Sequence, residues 1–117
     1  MSDDFALYVA DLLAPLGAIR PKRMFGGFGL YCNELIFALV IDDTLYLCAD
    51  DEMRAAFGTG PFRYMAKGRQ IEVKRYHEVP AALLDEGEAL IPWADRAIRA
   101  ATIPAATARR KTRHTSR

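Results

Sequence analysis

No hydrophobic run in this sequence is long. The longest, Leu35-Ile36-Phe37-Ala38-Leu39-Val40-Ile41, is far short of the ~20 residues that a membrane-spanning helix needs. The start, Met1-Ser2-Asp3-Asp4, is acidic, whereas a secretory signal begins basic and continues apolar. A cytoplasmic protein with no membrane partner is the expectation. Cysteine is scarce too, at two residues. Neither a CxxC pair nor a Cys/His zinc spacing occurs. Cys32 and Cys48 sit inside apolar, strand-like runs, where a thiol behaves as a small hydrophobe and stays reduced in the cytosol. His77 is the one imidazole ahead of the last residues, and HExxH, GxSxG and paired-carboxylate motifs are missing. Nucleophilic catalysis needs a thiol or hydroxyl beside a base that a third group orients, and neither cysteine has such a setting. The sequence is therefore read as non-enzymatic, with no catalytic residue, no cofactor and no metal.

An excess of either charge is also lacking, since the net charge is +1. The distribution is uneven. Residues 109–117 carry Arg109, Arg110, Lys111, Arg113 and Arg117 without an acid, which leaves eleven basic against fifteen acidic residues, or −4, in 1–108. A DNA-binding domain usually shows a basic face on its folded part; here the cations gather in the tail.

At 117 residues the chain has room for one domain, read as 1–103 followed by a basic tail, 104–117. Phe5, Tyr8, Val9, Leu12, Leu13 and Leu16 recur on one helical face, and Pro15 ends that helix near Ala14. Strands follow: a short extended piece at Arg23-Met24-Phe25, a joint at Gly26-Gly27, then Phe28–Cys32, Leu35–Ile41 and Thr44–Ala49. Two-residue polar joints between apolar runs predict antiparallel hairpins. Asp50-Asp51-Glu52 opens a short helix closed by Gly58 or Gly60. A second hairpin, Pro61–Met65 with Gln70–His77, turns at Lys67-Gly68-Arg69. Pro80 starts a short helix through Leu84. The last helix carries Leu90, Trp93, Ala94, Ala97, Ile98 and Ala101 on one side and starts either at Pro92 or near Glu88. The order α-β-β-β-α-β-β-α predicts a two-layer α+β fold, an antiparallel sheet of about five strands with helices on one side.

The Leu35–Ile41 run is apolar on both strand faces, whereas a sheet with one wet face should alternate. Either a segment of the chain not placed by the pattern covers that face or a second copy packs on it; burial of apolar surface contributes about 25 cal/mol per Å², so even a modest shared patch supports a dimer, and the protein is read as a homodimer.

The stretch Arg23-Met24-Phe25-Gly26-Gly27-Phe28-Gly29-Leu30-Tyr31 resembles the signature of the TfoX/Sxy N-terminal domain family. Leu16-Gly17 precedes it; Phe37-Ala38-Leu39, Leu45-Tyr46-Leu47, a Lys67-Gly68 turn, Tyr76, Val79-Pro80 and Trp93-Ala94 follow in the family's order. The resemblance covers residues 5 to 101. It implies an α+β fold similar to the secretion-chaperone class, and a signature (Arg23, Met24, Phe25, Gly26, Gly27, Gly29, Tyr31) read as structural. Full-length members regulate natural-competence genes and carry a second, C-terminal domain; this sequence is expected to lack that domain. The implied function is a protein-interaction module tied to transcriptional regulation, with a protein partner that the sequence does not name.

Gly26-Gly27-Phe28-Gly29 is not read as a phosphate loop, because strand residues rather than a helix follow it. Glycines there serve positive φ, a bulge or close strand approach. Arg23 suits an anionic group or a carboxylate of its own domain. The alternative function is weak, non-specific nucleic-acid binding through Lys67 and Arg69 at the hairpin tip and Arg109, Arg110, Lys111 and Arg113 in the tail, steeply salt-dependent because it runs on counterion release. A small-molecule pocket near Arg23 and the glycines ranks last.

Overall fold

A computed structural model describes residues 2–24 and 27–102. Helix α1 (Ser2–Leu12) leads into a 3₁₀ turn at Ala14–Leu16 that holds Pro15. Proline has no N–H to continue the α ladder, so the chain tightens, with Leu16 N–H donating to Leu13 O at 2.9 Å. Strands β1 (Ile19–Met24), β2 (Gly27–Cys32), β3 (Leu35–Ile41) and β4 (Thr44–Cys48) follow as a meander. Then come α2 (Asp51–Phe57), the hairpin β5 (Pro61–Ala66) and β6 (Arg69–Glu78), α3 (Ala81–Asp85) and α4 (Gly87–Ala101).

The sheet has six strands, not five, in the order β1-β2-β3-β4-β6-β5, and every pairing is antiparallel. The added strand is β1. It pairs along its whole length with β2, yet Arg20, Pro21, Lys22 and Arg23 give it no apolar alternation. An edge strand needs none, and proline and charge are how exposed edges are kept from pairing.

Three hairpin turns, Asn33-Glu34, Asp42-Asp43 and Lys67-Gly68, have positive φ at both central residues, between 51° and 76°. That is the type I′ pattern, whose twist matches antiparallel strands. Helix α2 starts as its acids predict: the Asp50 carboxylate caps it by accepting the Met53 N–H at 2.8 Å, and Gly58 closes it at φ 65°. Helix α4 begins at Gly87 and runs through Pro92. The carbonyl that loses its donor there belongs to Glu88, and both residues are exposed, so water reaches it.

All four helices feed one core. Val9 and Leu13 of α1, Met53 and Phe57 of α2, Leu90, Ala94 and Ala97 of α4 are buried with Leu30, Phe37, Ala38, Val40, Leu45 and Leu47 of the sheet, and Leu83 and Leu84 of α3 pack against them. Tyr8, expected on the buried side of α1, lies at the rim of its stripe and is exposed, while Ala6 takes the central place. Trp93 packs edge-on against Phe57, rings 5.3 Å apart, as part of this layer. No helix among the described residues is long and apolar enough to cross a membrane.

Candidate functional site

Register divides the β3 run between the two sheet faces. Leu30 stands opposite Ala38, Ala38 opposite Leu47, Phe28 opposite Val40 and Val40 opposite Leu45; directly paired side chains share a face, and these belong to or pack against the helix-covered core. Gly29, Leu39 and Tyr46 form the next row, facing the other way. Between Leu30 and Tyr31 the register jumps, so that Phe37 has no partner across on β2. This bulge lets Phe37 and Ala38 both enter the core. A run apolar on both faces thus serves two layers at once.

The face turned from the helices is built around the glycines of β2. A Cβ on Gly27 would lie 2.3 Å from the Val40 carbonyl oxygen and 2.5 Å from Ile41 Cδ1; one on Gly29 would lie 2.8 Å from Ile36 Cδ1 and 2.9 Å from Met24 Cε. Met24, Ile36 and Ile41 therefore lie over the backbone of β2. The glycines are there for close approach, and aliphatic side chains fill the room that a phosphate loop keeps open. Phe25 and Gly26 lie outside the described residues. Tyr31 pairs with Ile36 and has the Lys22 Nζ 5.9 Å from its ring centre; the Arg23 guanidinium lies over the Phe28 ring at 5.2 Å.

Across the sheet the apolar surface continues. Tyr46 meets Phe62 edge-on at 5.1 Å, and Phe62 stacks on Tyr64 at 5.9 Å. Leu39 and Phe62 are buried, at 7% and 8% exposure, although neither belongs to the helix-side core. The floor ends at edge strand β5 with Tyr64, 45% exposed; Met65, 66% exposed, lies on the same edge but on the opposite face, with Arg63. Sequence reasoning missed this rim. Its signal was the contrast between Phe62-Arg63-Tyr64-Met65 and the proline-bearing, three-cation stretch of the opposite edge.

Among the described residues, both thiols and the imidazole of His77 are buried. Cys32 and Cys48 are both buried, free thiols. Burial pushes the Cys48 thiol above its ordinary value, with Arg75 and Arg54 pulling the other way; an activated nucleophile needs the reverse. His77 is buried beside Leu47 and Pro61 in register. Burial lowers its pKa, and the Arg54 and Arg63 charges lower it further against a hydrogen bond with the Thr59 backbone. Its Nδ1 has no partner among the described residues. Asp50 is the exception in sign. Burial opposes its charge, but the Arg96 hydrogen bond at 2.8 Å, the Met53 N–H and the charges of Arg96 and Arg54 outweigh that and hold its carboxyl below the usual range. Arg96 also pairs with Glu52, tying α4 to the start of α2. These are structural ion pairs. No group of three or more His, Cys, Asp or Glu residues among those described is placed to hold a metal ion.

Of the cations singled out in the sequence, Lys67 and Arg69 stand exposed at the β5–β6 tip. A further β6 cation, Arg75, lies away from that tip and donates to Ala101 O at the end of α4. Arg109, Arg110, Lys111 and Arg113 lie outside the described residues, as does the whole of the 104–117 tail.

The described residues thus form a small α+β domain with one sheet face covered by helices and the β2 glycines of the other pinned beneath Met24, Ile36 and Ile41. The chain belongs to the TfoX N-terminal domain family, whose model matches residues 11–101. No curated protein matches it significantly.

Proposed function

We propose that this chain is a non-enzymatic protein-interaction module whose working unit is a homodimer. The observation that carries the reading is the second sheet face: partly exposed Met24, Ile36, Ile41 and Tyr46, with buried Leu39 and Phe62, form an apolar floor outside the helix-side core that suits a protein partner, and it runs out to an exposed β5 edge that suits a second copy. Partly exposed apolar side chains gathered on one face of a small domain mark a contact site. Burial of Cys32, Cys48 and His77, together with the raised Cys48 thiol, supports the non-enzymatic part, because a reacting group must be reached by its substrate. Family membership supports a place in the transcriptional regulation of competence, and two buried free thiols suit a cytoplasmic setting.

Light scattering at tens of micromolar is the test. A mass of about 26 kDa, twice the 13.1 kDa chain, is expected. A 13.1 kDa mass throughout that range removes the homodimer; turnover of a substrate that is lost on Cys48→Ser or His77→Gln removes the non-enzymatic reading.

A second reading, weak nucleic-acid contact, is favoured by the exposed Lys67 and Arg69 at a projecting tip. It predicts DNA retention at low salt that falls steeply with added salt and disappears on deletion of residues 105–117 combined with Lys67→Ala and Arg69→Ala.

A further inference from the structure

The open sheet has two edges, and they differ in kind. On β1, Pro21 stands between Arg20, Lys22 and Arg23. Proline is tolerated on an edge because it has no N–H to offer, and two such edges brought together would set six cations face to face. On β5 the only proline, Pro61, is the first residue, and the only charge, Arg63, is already engaged by Glu72 across the hairpin at 3.1 Å. From Phe62 to Ala66 every residue keeps its backbone donor. Tyr64 and Met65 are two of the four large apolar side chains exposed on the described surface. One edge is defended and the other is not.

We infer, resting on the homodimer proposed above, that two copies join edge to edge through β5, in antiparallel register about a two-fold axis at Tyr64. The register follows from faces and charges. A continuous sheet with both helix layers on one side requires paired residues to share a face, which leaves two central choices. Centring on Arg63 opposes two arginines, and like charges directly opposite destabilise a pair. Centring on Tyr64 sets Tyr64 against Tyr64 of the second copy, Phe62 against Ala66 and Arg63 against Met65. The aromatic row Tyr46–Phe62–Tyr64 then crosses the axis, and the two apolar floors become one. Charges agree with the same arrangement. The basic tip, Lys67 and Arg69, comes beside the Gly60–Pro61 end of the second copy, where exposed Glu78 donates its N–H to Gly60 O. An isologous contact makes that match twice.

Cysteine crosslinking tests the register with the full chain. Across the axis, Tyr64→Cys sets two Cα atoms about 4.5–5.5 Å apart, within reach of a disulfide; Met65→Cys leaves its pair beyond the ~7 Å limit. With oxidised glutathione, Y64C is expected to give a covalent dimer and M65C a monomer, while buried Cys32 and Cys48 stay silent. Tyr64→Lys, at an exposed site that leaves the circular dichroism unchanged, is expected to weaken dimerisation at least tenfold, and Lys22→Glu on the opposite edge to leave it unaltered. A dimeric wild type that neither crosslinks through Y64C nor weakens with Y64K overturns the β5 interface and leaves the homodimer standing. Equal crosslinking through M65C overturns the register. A monomeric wild type overturns both.

Discussion

Replacing Gly27 by alanine tests whether the glycines of β2 are set by close packing. The added Cβ would lie 2.3 Å from the Val40 carbonyl oxygen. To reach even 3.0 Å the two atoms must part by about 0.7 Å. That oxygen cannot swing aside alone, because Val40 is paired with Phe28 on one side and Leu45 on the other. Overpacking that moves backbone costs about 3 kcal/mol or more, and alanine returns only about 0.5–1 kcal/mol through its smaller unfolded-state entropy. The net loss is about 2–3 kcal/mol. With a urea m-value of about 1–3 kcal/mol/M for a domain of this size, the midpoint should fall by about 0.7–3 M at constant m. Gly29→Ala is the control. Its Cβ meets only the tips of Ile36 and Met24, at 2.8 and 2.9 Å, and flexible ends yield by a few tenths of an ångström. The entropic gain then offsets the strain, and the change should stay within about 1 kcal/mol. A Gly27→Ala protein as stable as the wild type, or a Gly29→Ala protein hurt more, would refute the packing argument.

Other expectations concern α2 and the buried titratable groups. Because the folded pKa of His77 lies below its unfolded value near 6.5, the unfolded chain takes up more protons as pH falls. Stability should be level above about pH 6.5 and decline below it, and urea midpoints of His77→Leu should lose that slope. Asp50→Ala removes both the cap on Met53 and the Arg96 pair; the cap is worth about 1 kcal/mol, the half-exposed pair at most about 0.5. The melting temperature should drop by roughly 5–10 °C. Asp50→Asn keeps the cap and should lose less than half as much; an equal loss would assign the stability to the ion pair. Iodoacetamide should leave Cys32 and Cys48 unmodified in the native protein, labelling rising only across the urea transition, whereas fast native labelling of Cys48 would contradict its burial.

Hairpins, caps and helix order were legible because each has a local cause. Asn33-Glu34 and Asp42-Asp43 are polar pairs between apolar runs, and Asp50 with Gly58 brackets a helix through its own side chain and its own φ. Strand β1 was half hidden because a defended edge carries no alternation. Phe37 could not be assigned from the run that holds it, since a bulge against Leu30 and Tyr31, a property of the pair, decides its face. The rim at Tyr64 and Met65 was illegible for a related reason: that β5 is an edge follows from β6 inserting beside β4, a non-local pairing of Tyr46 with Glu78 and Leu47 with His77. The buried His77 follows from that same insertion.

The doubly apolar run of β3 raises a problem of register that the structure resolves at β2. A one-residue slip normally drives apolar side chains into water and so is self-correcting. In Leu35–Ile41 a slip only exchanges Ala38 and Val40 for Leu39 and Ile41, and hydrophobicity alone gives little preference. Gly27 and Gly29 supply what the pattern does not. They leave space on one face only, at the two positions where Ile41 and Ile36 of β3 and Met24 of β1 cross the backbone, and a shifted β3 would drive Ile36 and Ile41 against Phe28 or Leu30 instead. The type I′ turn at Asn33-Glu34 then holds the same alignment from the closed end of the hairpin. The signature glycines therefore decide which half of β3 faces the helices and which half is presented outward, so the character of the presented floor is fixed two residues at a time on a strand that contributes no side chain of its own at those points.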